Sequence, residues 1–251
     1  MKNVLVFISL LAATSVIGFG QDTPASKTVG NEKSVVAVAT LDTPLDLAKS
    51  SLAAHGGDKL KQMKTLVMKG SADVNSFNQS IPASFVTIIS GDKYYYEINN
   101  PFQPLKQIYD GRKVFSSIQG FSLPPITSLG FPLLPKVGDA GYVVSALVDV
   151  KGAKTKRKGF RITSPEGFYT DFFVDEKTKH IKGYESSYDV GGRTVTTSVE
   201  IDEFQTIDGV IVPKKYSQRF DLGQMTAYAN FKAKEILINS EVKDEIFAMP
   251  K

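Results

Sequence analysis

The clearest pattern along the chain is an alternation of apolar and polar positions with a period of two. Val195, Thr197, Val199 and Ile201 fall between Thr194, Thr196, Ser198, Glu200 and Asp202. Met225, Ala227, Ala229, Phe231 and Ala233 fall in the same way between Thr226, Tyr228, Asn230, Lys232 and Lys234. Successive side chains of a strand point to opposite faces, so this spacing predicts strands with one covered face and one wet one. Turn chemistry separates the runs across 158–238, at Ser164-Pro165-Glu166-Gly167, Asp175-Glu176-Lys177, Gly191-Gly192 and Asp208-Gly209. The stretch reads as consecutive hairpins, an antiparallel meander that must curl over something.

Upstream the period changes. Thr43 suits a helix N-cap, Pro44 the first helical position, and Asp46 stands three residues after the cap. Leu45, Ala48 and Leu52 share a face, and Gly56-Gly57 ends the helix. A short helix over 58–63 leads into strands at 65–75, 83–90 and 93–99, then a hairpin of 105–110 and 112–118 around Asp110-Gly111. Leu66, Met68, Gly70, Ala72 and Val74 lie on one side of the first strand; Tyr94, Tyr96 and Ile98 share a face of the third. The small Gly70 and Ala72 leave room beneath them. A large packing partner takes that room in a filled sandwich, and a guest takes it in a ligand-holding barrel.

Residues 119–137 break the alternation with Phe121, Leu123, Ile126, Leu129, Phe131, Leu133 and Leu134 set among Pro124, Pro125, Pro132 and Pro135. The prolines forbid a central strand and allow one helical turn, expected around 126–129. So apolar a segment must cover the sheet's open side, a cavity mouth or a partner. Sealing the sheet's own core and gating a greasy cavity both fit it. A strand over 142–150 follows.

The chain's 251 residues suit one large, mainly β domain, and 42% hydrophobic content with 16 Phe and 10 Tyr is ample for a core. Residues 1–20 read as a secretory signal: Lys2, the apolar run 4–13, and Gly18-Phe19-Gly20 as a cleavage site before Gln21. A Ser/Thr/Ala/Val-rich leader over 21–42 precedes a single domain over 43–251. The absence of cysteine leaves no disulfide and no lipidation site after the signal. The expected location is therefore the periplasm, with the signal cleaved after Gly20. Net charge is +4, a mild value, gathered locally at Lys151, Lys154, Lys156, Arg157 and Lys158. That cluster is either a solvated loop or a patch for an anionic membrane surface. Nucleic acid is not an expected partner, since no binding motif is present.

Catalytic chemistry finds little support. His55 lies beside the Gly-Gly helix end and His180 lies in a turn, where it reads as exposed; neither has the spacing of a metal ligand set. There is no thiol, no Gly-x-Ser-x-Gly elbow, no phosphate-cradling glycine loop and no His-Glu-x-x-His. The pairs Asp175-Glu176, Asp202-Glu203 and Asp244-Glu245 read as solvated turns or strand ends. The chain is not expected to be an enzyme, to hold a metal or to need a cofactor.

An ordered set of landmarks carries a resemblance. First come His55-Gly56-Gly57, then Lys59-Leu60, Lys64-Thr65-Leu66 and Gly70. Far downstream come Phe173-Val174-Asp175, Phe204, Ile207-Asp208-Gly209-Val210-Ile211-Val212-Pro213, Ile238-Asn239 and Phe247-Ala248-Met249-Pro250. Together, over 45–251, they resemble the outer-membrane lipoprotein-sorting superfamily of carriers and receptors, of which this chain would be a divergent member. The resemblance implies a mainly β (α+β) fold: a curled antiparallel sheet of about eleven strands forming an incomplete β-barrel, with N-terminal helices and an apolar loop as lid. It implies non-catalytic binding of acyl chains in an apolar cavity. Two departures stand out. The carrier's lid is helical where 119–137 is proline-rich, and the arginine that holds that lid has only Arg112 as a candidate.

The function expected is a periplasmic binding protein that holds an acyl chain, lipid or lipoprotein in the concavity, for transport to the outer membrane. The candidate cavity residues are Leu66, Met68, Phe85, Ile89, Tyr94, Tyr96 and Phe115. Phe121, Ile126, Leu129, Phe131 and Leu133 are the lid candidates. Burial of each CH₂ contributes about 0.8 kcal/mol, so a long chain is held without directional contacts. The alternative is an interaction or regulatory module that docks another envelope protein on the same curled sheet.

Overall fold

The computed structural model describes residues 43–76, 79–102, 104–118, 130–148, 157–190, 193–221 and 226–250. The expected signal and leader over 1–42 lie outside these residues. So do Phe121, Ile126 and Leu129 of the lid, the expected turn at 126–129, and Lys151, Lys154 and Lys156 of the basic cluster.

The chain begins with helix α1, Pro44–Ala54, which starts where its capping chemistry dictates. The Thr43 hydroxyl accepts the Asp46 backbone N–H at 3.1 Å and the Asp46 carboxylate accepts in return from the Thr43 backbone, a reciprocal capping box. The single turn α2, Asp58–Lys61, follows. Then come β1 (Thr65–Ser76), β2 (Gln79–Ser90), β3 (Lys93–Asn99), β4 (Leu105–Tyr109) and β5 (Val114–Ser116). A 3-10 helix, Phe131–Lys136, is built from the second half of the proline-rich stretch. After it run β6 (Val143–Ala146), β7 (Gly159–Thr163), β8 (Tyr169–Val174), β9 (Ile181–Val190), β10 (Arg193–Ile207), β11 (Val210–Asp221) and β12 (Thr226–Ile238). A last 3-10 turn, Asp244–Phe247, ends the fold.

All 12 strands form one antiparallel sheet in the order β5-β4-β3-β2-β1-β12-β11-β10-β9-β8-β7-β6. The meander expected from the alternation is present, with one strand more than the resemblance implied. The order joins two consecutive hairpin series through β1 and β12 at the centre, and β5 and β6 at the ends do not meet. The sheet is an incomplete barrel. Its curl follows from what shares one hollow: Tyr96 of β3 and Tyr188 of β9 both line it, although these strands stand six places apart in the sheet. In a flat sheet that separation would be about 29 Å, at ~4.8 Å per strand.

The concave side holds the main core. Leu47, Ala48 and Leu52 of α1, Leu60 of α2, and Phe131, Leu133 and Leu134 of the 3-10 helix are buried with Phe85, Phe160, Phe172 and Phe231 of the strands. Helix α1 packs on β6, β7 and the 3-10 helix. A smaller cluster lies on the convex side, where the C-terminal Phe247 covers Val67, Ile88 and Ile108, with Phe115 packed against them.

The room expected beneath Gly70 is accounted for by the backbone of β12. A Cβ at Gly70 would lie 2.0 Å from the Lys232 carbonyl oxygen, at the register shift between Lys69 and Gly70. The facing Phe85, paired with Gly70 in register, fills the remaining space edge-on against Phe231, with ring centres 5.2 Å apart.

Candidate functional site

Under the curl lies an inner chamber of about 140 Å³. Its apolar wall comes from Leu66 and Met68 of β1, Ile89 of β2, Phe131 and Pro132 of the 3-10 helix, and Phe220 of β11. The strand positions face inward because each lies on the concave set of its strand's alternation, and Phe131 and Pro132 reach the chamber from the 3-10 helix. An outer chamber of about 370 Å³ adjoins it and shares Leu66, Ile89, Phe131 and Pro132 with it. Those four residues are the partition between the two. The outer wall is mixed: Leu60, Met63 and Phe168 stand beside Lys61, Lys64, Lys136, Asp92 and Glu166. The inner wall carries no charged side chain and no histidine among the described residues.

The inner wall's polar groups are hydroxyls and one amide, from Thr87, Tyr96, Tyr184, Ser186, Tyr188 and Thr197 together with Tyr216 and Gln218. Several are committed to the protein. Ser186 shares a 2.8 Å hydrogen bond with Thr170, whose hydroxyl also accepts the Gly130 N–H at 3.0 Å. Tyr184 is hydrogen-bonded to the Phe131 backbone and Tyr188 to the Thr197 side chain. Tyr96 Oη has no partner among the described residues, and Tyr96 is only 7% exposed. Burial pushes the hydroxyls of Tyr96, Tyr184 and Tyr216 well above the usual phenol range, and that of Tyr188 up to about 12. All four are therefore neutral at any working pH.

Leu66, Met68, Ile89, Tyr96 and Phe131 of the sequence candidates meet at the chamber. Phe85, Tyr94 and Leu133 belong to the same concave core but are packed behind the wall, with Tyr94 stacked on Tyr109 at 5.7 Å. Phe115 departs from the expectation. It pairs with Ile108 on β4, and that register turns both side chains to the convex cluster. Sequence reasoning missed the β9–β11 half of the wall, namely Tyr184, Ser186, Tyr188, Thr197, Tyr216, Gln218 and Phe220. Of these only Thr197 stood in an alternation read from the sequence, and nothing local indicates which strands a curl brings face to face.

His55 anchors the partition. Its Nδ1 donates to the Ile211 carbonyl at 2.8 Å and its Nε2 accepts the Ile181 N–H at 3.0 Å, which fixes the tautomer. The ring meets Phe131 edge-on at 5.2 Å, Phe204 at 5.4 Å and His180 at 5.1 Å. His180 is thus half-buried against an aromatic cluster instead of exposed. Gly56, at φ +113°, abuts the β10–β11 turn, where any Cβ would lie 2.7 Å from the Gly209 oxygen. Lys59 Nζ donates to the Asp208 carbonyl at 3.1 Å. The early and late sequence landmarks are two sides of one joint.

The acidic pairs do structural work. Asp175 accepts from the Lys177 and Thr178 backbone, Glu203 pairs with Lys214 and Lys215, and Asp244 pairs with Lys93 at 3.0 Å. Arg112 lies in the β4–β5 turn, where its backbone N–H is capped by Asp110 at 2.8 Å. Of the basic cluster, Arg157 and Lys158 are exposed, and the Arg157 guanidinium lies 4.6 Å from the centre of the Phe173 ring.

No protein-family model matches this sequence, and no curated protein does. Solved structures do. A LolA superfamily protein of Nitrosomonas europaea is similar at 12% identity and a TM-score of 0.49, over 82% of this chain and 98% of that one. A DUF1329 family protein of Desulfovibrio piger is similar at 13% identity and a TM-score of 0.48, over 82% and 95%. A putative outer membrane lipoprotein-sorting protein domain of Vibrio parahaemolyticus is similar at 10% identity and a TM-score of 0.45, over 81% and 95%.

Proposed function

We propose that this protein is a non-catalytic carrier that holds an apolar guest, an acyl chain of a lipid or lipoprotein, in the concavity of its curled sheet. One observation carries this reading. The inner chamber is walled by Leu66, Met68, Ile89, Phe131 and Phe220, in a concavity whose helical cover leaves it unfilled. Apolar walls favour hydrophobic transfer, at about 0.8 kcal/mol per CH₂ removed from water. The inner chamber alone is smaller than the ~300–1,000 Å³ of ligand pockets, whereas the outer one reaches that range. A chain of lipid length therefore spans both, with Phe131 and Pro132 displaced as it enters.

The reading places the protein in the periplasm, exported by residues 1–20, with delivery toward the outer membrane as its role. In that setting neither a metal nor a cofactor is needed. Organic extraction of the purified protein tests it directly. Copurifying acyl lipid, and saturable binding of the neutral probe N-phenyl-1-naphthylamine, are the expected results. An extract without lipid together with no probe binding would abandon the carrier in favour of a docking module on the same sheet.

A further inference from the structure

A cross-strand row of polar side chains runs into the inner chamber from the β5 edge. Met68 pairs with Thr87, Thr87 with Tyr96, Tyr96 with Gln107, and Gln107 with Ser116. Residues directly opposite in register share a face. Among the described residues, two members of this row are buried without partners: Tyr96 Oη at the chamber wall, and both amide atoms of the fully buried Gln107 beside it. An unmatched buried polar atom is destabilising, so a polar group supplied from outside gains the bond that the protein leaves unmade. The same wall offers no lysine, arginine or histidine to offset a negative charge. An ionised carboxylate there would be desolvated and uncompensated.

We propose that the chamber takes an uncharged acyl ester, with Tyr96 Oη donating to the ester carbonyl, and that it rejects free fatty acid in its ionised form. The inference rests on the carrier reading and adds to it the identity of the polar end. The Tyr96 hydroxyl is a donor throughout the working pH range, because burial holds its proton. Gln107 extends the row, so a second ester oxygen has an amide within the same file of side chains. Glycerolipids and acylated proteins both carry this group.

The test uses competition against N-phenyl-1-naphthylamine on the purified full chain, with decane, methyl decanoate and decanoate as competitors. At about pH 8 the ester should outcompete the ionised acid by roughly tenfold or more, the order expected when a buried charge lacks a partner. Between about pH 8 and pH 6 the acid's apparent affinity should rise as its neutral form becomes populated, while the ester's stays level. Tyr96→Phe should weaken the ester by about five- to tenfold, the loss of one hydrogen bond, and leave decane unchanged. That variant should melt at or above the parent, since it removes an unpartnered hydroxyl. Dioctanoylglycerol and a dipalmitoylated lipopeptide, run in parallel, tell the two sources of ester apart; loss of either on Tyr96→Phe supports the assignment. Equal competition by decanoate and its methyl ester at about pH 8, or an ester affinity indifferent to Tyr96→Phe, overturns the inference while leaving the carrier intact. Failure of both probe and decane to bind removes the carrier reading and the inference with it.

Discussion

His55 Nε2 accepts the backbone N–H of Ile181 at 3.0 Å, across 126 residues of sequence. The other ring nitrogen donates to Ile211, so a single imidazole ties the end of α1 to the start of β9 and of β11. The bond to Ile181 is buried and the bond to Ile211 partly so, which limits replacement by water. His55→Phe keeps an aromatic ring but leaves an N–H and a carbonyl unmatched. The expected cost is about 3 kcal/mol, from two orphaned groups at ~1–3 kcal/mol each. It should appear as a lower urea midpoint at unchanged m-value.

The same bond sets a pH dependence. Burial, opposed by the bond to Ile211 and reinforced by the nearby His180, lowers the His55 pKa from 6.5 to about 4. Only the neutral ring can accept from Ile181. Between pH 6.5 and about 4 the unfolded chain therefore binds more protons than the folded one. Stability is complete above that window and declines as pH falls through it, by about 3 kcal/mol in all. Urea midpoints measured across the window should show this slope in the parent and lose it in His55→Phe.

Gly70 is a point of close backbone approach in the central β1–β12 seam. Gly70→Ala would set a methyl group 2.0 Å from the Lys232 oxygen, so the two central strands must separate. Backbone cannot yield as a side-chain tip does, and a loss of about 3 kcal/mol is expected, at the upper end for overpacking. Thermal unfolding would register it. An unchanged midpoint would mean that the seam adapts.

Ile89 lies on the partition shared by the two chambers. Ile89→Trp places a larger ring in space that a guest would otherwise take. Probe affinity should fall by about tenfold or more, whereas stability should shift by only ~1 kcal/mol, because the added bulk enters a hollow and not a filled core. Fluorescence of the new indole, in a chain otherwise without tryptophan, reports the chamber directly.

Much of the fold was legible in the sequence because its signals are local. The capping box at Thr43 and Asp46 fixed the start of α1, and the alternation at 193–207 and 226–238 fixed two long strands. The misses have physical causes. Gln79 to Pro82 extend β2 beyond its expected start, because they pair with β1 on one side and lie past the end of β3 on the other, where proline is tolerated. Phe131–Lys136 forms a 3-10 helix that the sequence reading did not include, since Pro132 fits a helix's first turn. Phe115 was assigned inward because the convex cluster is closed by Phe247, more than a hundred residues away. On β2, Val86 and Ile88 face that cluster while Phe85 and Ile89 face the concave side, so the strand is greasy on both sides and shows no alternation. The chamber wall was half visible for a related reason. Periodicity tells which side chains point inward, and only curvature decides which of them look at one another.

The rims of the sheet, β5 and β6, are not stitched together. In a sealed cylinder any dilation must tear ladder hydrogen bonds somewhere around the girth. Here the two flanks can splay like the covers of a book hinged at the β1–β12 spine, with every inter-strand bond intact. If the proposed guest enters there, its admission would cost side-chain contacts at the partition of Leu66, Ile89, Phe131 and Pro132 and no ladder bonds between β5 and β6.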